Sequence, residues 1–161
     1  MNDRIARGLV AAGLVLAGGA VAMTVQRHEE TLAQGRPVIL ELAPVDPRSL
    51  MQGDYMALNY AMARDLQNGA RDGVVVVKLD EKGVGRFARV DHGEPLAADE
   101  ARLRYRVRPR GVRIATDAWF FEEGQRSAFQ GARYGELRAR PDGEALIVAL
   151  RDKNFEVIKP R

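Results

Sequence analysis

Cysteine is absent from this 161-residue chain. Its absence excludes disulfides, thiolate metal sites, a cysteine nucleophile and the lipid-modified cysteine of bacterial lipoproteins. Histidine is scarce, with only His28 and His92, so an imidazole-based metal centre has little to build on. Serine is equally scarce. Ser49 falls in a turn, where its hydroxyl caps backbone groups, and neither it nor Ser127 has the surroundings of a serine–lysine peptidase nucleophile. Lysine is limited to Lys78, Lys82, Lys153 and Lys159, so arginine carries most of the positive charge. The formal net charge of +3 is too small to argue for nucleic-acid binding, and no such partner is expected. No low-complexity run or internal repeat is present. What remains is a globular composition, 46% hydrophobic and 29% charged, which fits one folded domain.

The N-terminus departs from that composition. Gly8 to Val25 contains no charged residue. As a helix these about 18 residues span roughly 27 Å, close to a bilayer's hydrocarbon thickness. Arg4 and Arg7 precede the run, which places the N-terminus in the cytoplasm and the rest outside. Ala20-Val21-Ala22 has the form of a signal-peptidase site, so a cleaved leader is one reading. The helical pattern continues through Gln34 until Gly35 and Pro37 stop it. That continuity puts an uncleaved anchor with a polar stalk ahead of a leader and of a buried soluble helix. Residues 1–35 are therefore read as anchor and stalk, with residues 8–25 in the lipid bilayer, and residues 36–161 as an extracytoplasmic domain.

Beyond Gly35 the periodicity changes to two. Val38 to Leu42 predicts a first strand, ended by Pro44 and Pro47, with a turn at Asp46-Pro47-Arg48-Ser49. Tyr55 to Tyr60 predicts a second, with Tyr55, Ala57 and Asn59 on one face and Met56, Leu58 and Tyr60 on the other. Residues 61–72 read as a loop with one helical turn. Val74 to Leu79 is a β-branched run suited to a core strand, and Gly85 to Val90 returns as its hairpin partner. Leu103–Val107 and Val112–Phe121 predict two longer strands. Residues 123–133 predict one short inserted helix. Leu137–Arg140 and Ala145–Leu150 flank the Pro141-Asp142-Gly143 turn, and Phe155–Ile158 adds a last strand. The expected fold is mainly β: a transmembrane helix, then a small antiparallel barrel or sandwich with one short helix.

The stretch Gly53-Asp54-Tyr55-x-x-Leu58-x-Tyr60 carries a recognisable pattern. Together with Trp119-Phe120-Phe121-Glu122-Glu123-Gly124, Ala132-Arg133-Tyr134-Gly135 and the Pro-Asp-Gly-x-Ala-Leu hairpin, it resembles the GDYXXLXY family over roughly residues 36–150. The resemblance implies a bacterial membrane-anchored protein, located at the inner membrane and of uncharacterised biochemistry. It implies a polytopic membrane protein as partner and supplies no catalytic roles.

The residues themselves leave two readings of this pattern. One is a structural corner, with Gly53 supplying a tight bend and Asp54 accepting backbone N–H groups. The other is a polar cleft lined by Asp46, Arg48, Asp54 and a tyrosine hydroxyl. Asp54 with Glu122 or Glu123 would make an acid/base pair if the fold joined them, although Glu122-Glu123 also suits the start of a helix. Asp46 and Asp54 offer carboxylates to a hard cation, but no metal or other cofactor is expected.

A second feature is an arginine ladder. Arg102, Arg104, Arg106, Arg108 and Arg110 alternate with Leu103, Tyr105 and Val107, which puts the guanidinium groups on one strand face. Read blandly, this is an edge strand charged against aggregation. Read functionally, it is an anion surface for phospholipid head groups or for an acidic patch on a membrane partner. The resulting expectation is a non-enzymatic envelope protein that binds or assembles with another membrane component. A hydrolase, or a ligand- or cation-binding domain using the Asp54 region, is the alternative. Oligomeric state is not legible.

Overall fold

One uninterrupted helix, α1 (Asp3–Gln34), opens the chain. The computed structural model describes residues 3–43, 51–52, 55–66, 71–109, 111–116 and 118–159. In α1 the span Leu9–Gln34 contains an 18-residue stretch of mean hydropathy 1.9 and is long and apolar enough, by length and composition, to cross a bilayer once. Leu9, Leu14, Val15, Leu16 and Val21 are all exposed. A helical stretch that is apolar on every side, with nothing of its own chain against it, needs lipid or other helices around it, and in α1 this holds for the run up to Val25.

The far end of α1 is part of the domain. Thr31 is only 4% exposed, its hydroxyl donates to the Arg27 carbonyl at 2.7 Å, and the helix packs on the strands that follow Arg133. The Gly35 N–H closes the last turn on the Thr31 carbonyl at 2.9 Å. A Cβ at Gly35 would lie 2.3 Å from that carbonyl oxygen and 2.9 Å from Arg138 Cβ. Gly35→Ala is therefore expected to lower stability by about 1–3 kcal/mol, the usual range for overpacking. Chemical unfolding of the full chain in detergent reads this, and an unchanged midpoint would contradict the tight joint.

Ten strands follow among the described residues: β1 (Arg36–Glu41), β2 (Met51–Gln52), β3 (Tyr55–Ala57), β4 (Gly73–Leu79), β5 (Gly85–Val90), β6 (Glu100–Arg108), β7 (Gly111–Ile114), β8 (Ala118–Phe120), β9 (Tyr134–Ala139) and β10 (Ala145–Arg151). They form three antiparallel sheets ordered β1-β9-β10, β2-β3-β8 and β5-β4-β6-β7. Isolated bridges join them. Ile39 meets Val84, and Leu42 meets Tyr60, so β1 links the sheets into a partial barrel. The core fills its inside with Val38, Leu40, Leu58, Tyr60, Val75, Val77, Leu103, Tyr105, Ile114, Leu137 and Leu150.

Local chemistry explains the turns. Asp80 Oδ1 accepts the N–H groups of Lys82 and Val84, both at 2.9 Å, and Gly83 takes φ 79° between β4 and β5. Gly143 takes φ 85° between β9 and β10, and its carbonyl accepts the Arg104 N–H at 2.7 Å. This last bond ties the β9–β10 turn to β6.

Four expectations change. The strand expected over Val112–Phe121 is two strands in different sheets, because Ala115 takes φ 50° and redirects the chain after Ile114. The strand expected at Phe155–Ile158 reduces to one bridge, Arg151 to Val157. Phe155 takes φ 67° and stacks on Tyr134, ring centroids 4.5 Å apart. The short helix expected at 123–133 is a 3-10 segment, Arg126–Gly131, and a second one, Ala61–Leu66, occupies the stretch read as a loop with one helical turn. Finally, β6 is not an edge strand. It pairs with β4 on one side and β7 on the other, so protection of a free edge does not explain its arginines.

On one flank of β6 the charges are matched. Arg102 pairs with Asp91 at 2.9 Å, and Arg89 pairs with Glu100. The Arg102 guanidinium beside Asp91, and the Arg89 guanidinium with the Ala97 N–H beside Glu100, hold both carboxyls below the usual carboxylate range. Their stabilising effect is complete above the unfolded pKa, about 4, and is lost as pH falls through the depressed folded values. Glu100→Gln is expected to flatten the loss of stability below about pH 4. Melting temperatures across that range check it, and an acid limb identical to that of the parent chain would contradict it.

Candidate functional site

The two sequence motifs meet in one small sheet. β3 pairs with β8 so that Tyr55 faces Phe120, Met56 faces Trp119 and Ala57 faces Ala118. Alternation along the first motif sorts its residues as expected: Met56, Leu58 and Tyr60 are buried, and Tyr55, Ala57 and Asn59 are half-buried. Tyr60 is 3% exposed, and its hydroxyl donates to the Thr116 carbonyl at 3.3 Å. A Cβ on Gly135 would come within 3.3 Å of the Tyr60 ring, so the small residue at 135 leaves room for the tyrosine. Leu58 and Tyr60 thus belong to the core, and Tyr55 lies against Phe120 with ring centroids 5.8 Å apart.

The second motif divides as well. Trp119 and Phe121 pack on Phe129 of the Arg126–Gly131 segment at 6.0 Å and 5.3 Å. The Trp119 indole N–H is buried with no acceptor among the described residues. Phe120 points outward and is 76% exposed. Glu122, Glu123 and Gly124 are exposed. Glu122 accepts from the Gln125 side chain at 3.0 Å, and Gly124 takes φ 85°. Arg133 is exposed, and its backbone bonds Leu42 and Arg151. Asp46, Arg48, Gly53 and Asp54, and with them the cleft, cation and acid/base readings, lie outside the described residues. Among the described residues no three histidine or acidic side chains gather as a metal site.

The arginine ladder also splits. Leu103 and Tyr105 are buried, whereas Arg104, Arg106 and Arg108 are exposed on the opposite face, as the alternation requires. Arg102 is taken up by Asp91 and by the Glu94 carbonyl at 2.6 Å. Arg110 lies outside the described residues. Arg108 lies 3.4 Å from Asp72. The Asp72 carboxyl is held below its ordinary range, first by the Val107 N–H at 2.7 Å and then by Arg108.

Arg104, Arg106 and Arg108 line a groove of about 570 Å³ together with Arg113 of β7, His28 and Thr31 of α1, and Glu144, Ala145 and Leu146 at the start of β10. Arg113, His28 and Glu144 were not singled out from the sequence. Arg113 was accessible in principle: folding β6 onto β7 around the turn at Pro109 places it directly opposite Arg106. His28 lies 76 positions from Arg104 (104 − 28), and no local signal joins them.

A family model described as the GDYXXLXY protein matches residues 17–150. The match begins within α1 and ends in β10. No curated protein and no solved structure matches the chain.

Proposed function

The chain belongs to the GDYXXLXY family, and on that premise we propose that it is a single-span anchored envelope protein that assembles with a polytopic membrane protein and performs no chemistry of its own. In this reading residues 1–35 anchor and space, and residues 36–161 form the working domain on the extracytoplasmic side. Arg4 and Arg7, just before the apolar run, support that orientation.

The observation that carries the proposal is the continuity of α1 from its apolar run into the domain. From Val25 to Gln34 there is no break, and Thr31 is already buried on the domain. At 1.5 Å per residue this places the joint roughly 14 Å beyond the apolar run. A rigid stalk that short holds the domain against the membrane surface, where the extracytoplasmic loops of a membrane protein lie. A flexible tether would be expected for a domain acting on distant soluble molecules.

The signature sheet supplies a contact for such a partner. β8 ends the order β2-β3-β8 among the described residues, and Phe120 stands out from it beside Tyr55. An exposed aromatic on a strand end is the kind of anchor that protein interfaces use. A photoreactive phenylalanine analogue at Phe120 should crosslink a membrane protein in intact cells, whereas the same group at Val90 on β5 should not. If the chain sediments with membranes yet Phe120 yields no crosslink above Val90, the assembly proposal fails.

A further inference from the structure

The groove between the stalk and the arginine face lies at a particular height. His28 follows the last apolar residue, Val25, by three positions and Thr31 by six, roughly 4.5 and 9 Å along a helix. The headgroup zone on each side of a bilayer is about 5–7 Å thick. On the reading that residues 8–25 span the bilayer, the groove therefore opens at and just above the level of lipid phosphates.

Its charge is unbalanced. Among the described residues four guanidinium groups line it, Arg104, Arg106, Arg108 and Arg113, against one carboxylate, Glu144, and Asp72 pairs with Arg108 from outside the lining. Arg104 and Arg106 have no ion-pair partner among the described residues. Arg108 lies 3.4 Å from Asp72. Arg104 reaches only the Asp142 carbonyl, at 3.4 Å. Arg113 donates to Asn59 at 3.2 Å. Arg106 makes no hydrogen bond or ion pair among the described residues and lies directly opposite Arg113 in the β6–β7 register. Because β6 is interior to its sheet, guarding a free edge does not account for these residues.

We propose that this groove seats the phosphate of an anionic phospholipid from the leaflet in which the stalk emerges. Guanidinium groups match phosphate oxygens in geometry as well as charge. The remaining lining favours a lipid over a free anion. Pro109, Ala115, Ala145 and Leu146 offer an apolar wall for the glycerol and the upper acyl chain. Such a lipid bridges the stalk and the barrel and sets the tilt of the domain on the membrane. This site depends on the anchored reading of α1 but not on the protein partner.

The test uses the full chain, extracted in mild detergent and titrated with phosphatidylglycerol or phosphatidylcholine, with bound lipid counted by native mass spectrometry. Phosphatidylglycerol should be retained at least about tenfold better, and Arg104→Gln/Arg106→Gln should weaken its binding about 25-fold, near fivefold per arginine at an anionic surface. Arg86→Gln, on β5 and away from the groove, should change nothing. Both substituted side chains are exposed, so the double variant should melt like the parent chain. Equal retention of the two lipids, or full retention by the double variant, overturns the proposal. Displacement of the lipid by millimolar inorganic phosphate overturns it in favour of a free anion, and an acidic polypeptide bound in its place overturns it in favour of a protein ligand. A chain that fractionates with the aqueous phase fails the anchored reading itself. A chain that sediments with membranes but shows no lipid preference fails only the groove.

Discussion

Tyr60→Ala should be the most damaging single truncation in the signature, lowering stability by about 3–5 kcal/mol, the range for a buried aromatic. Four contacts among the described residues converge on Tyr60. Its ring is sealed in the core and fits against Gly135. Its hydroxyl reaches the Thr116 carbonyl between β7 and β8. Its backbone bridges Leu42 just after β1, and its carbonyl accepts the Ala63 N–H to start the Ala61–Leu66 segment. Removing the ring therefore opens a cavity where all three sheets meet. Tyr60→Phe keeps the ring and should lose only about 1 kcal/mol, the typical worth of one hydrogen bond. Tyr55→Ala, half-buried beside Phe120, should lose about 1 kcal/mol. Urea titration of the three variants in detergent separates these outcomes. If Tyr55→Ala proved far more harmful than Tyr60→Ala, the division of the motif into a buried and an outward tyrosine would be wrong.

Leu16→Arg/Ala20→Arg should remove the chain from membranes altogether. The two positions are one turn apart near the middle of the apolar run, where each charge opposes insertion by about 2.5–3.5 kcal/mol, or about 5–7 kcal/mol together. Both side chains are exposed in the apolar stretch of α1, away from its buried end at Thr31, so the substitution leaves the β core untouched. The domain should then appear, folded, in the aqueous fraction. Sedimentation of the variant with vesicles to the same extent as the parent would show that the helix is not what holds the protein there. Leu16→Ile at the same place should leave fractionation unchanged, which isolates charge as the cause.

Particular residues show where the sequence was legible. The burial alternation from Tyr55 to Tyr60 followed directly from period two, because successive Cβ atoms on a strand must point to opposite faces. The valine run of β4 was legible as a core strand because β-branched residues on both faces suit a strand covered on both sides. The turns at Gly83 and Gly143 were legible because few residues accept positive φ. The break at Ala115 was not, because alanine carries no turn signal and its φ of 50° is imposed by packing. The same limit applied to the arginine ladder. Its face was readable from spacing, but its place inside the sheet was not, since β4 reaches it through pairs such as Val76 with Arg102, 26 positions apart (102 − 76).

By itself the sequence determined the apolar rod, most of the strands and turns, the face alternation along them and the family pattern. Each depends on residues within a few positions of one another, where dihedral preferences and side-chain period act. Only the tertiary structure decided which strands share a sheet, which tyrosine is sealed and which looks outward beside Phe120, and that the stalk, β6, β7 and β10 converge on one basic groove. Those outcomes come from packing between segments far apart in the chain, and the burial of a shared core selects among pairings that local preference leaves nearly equal.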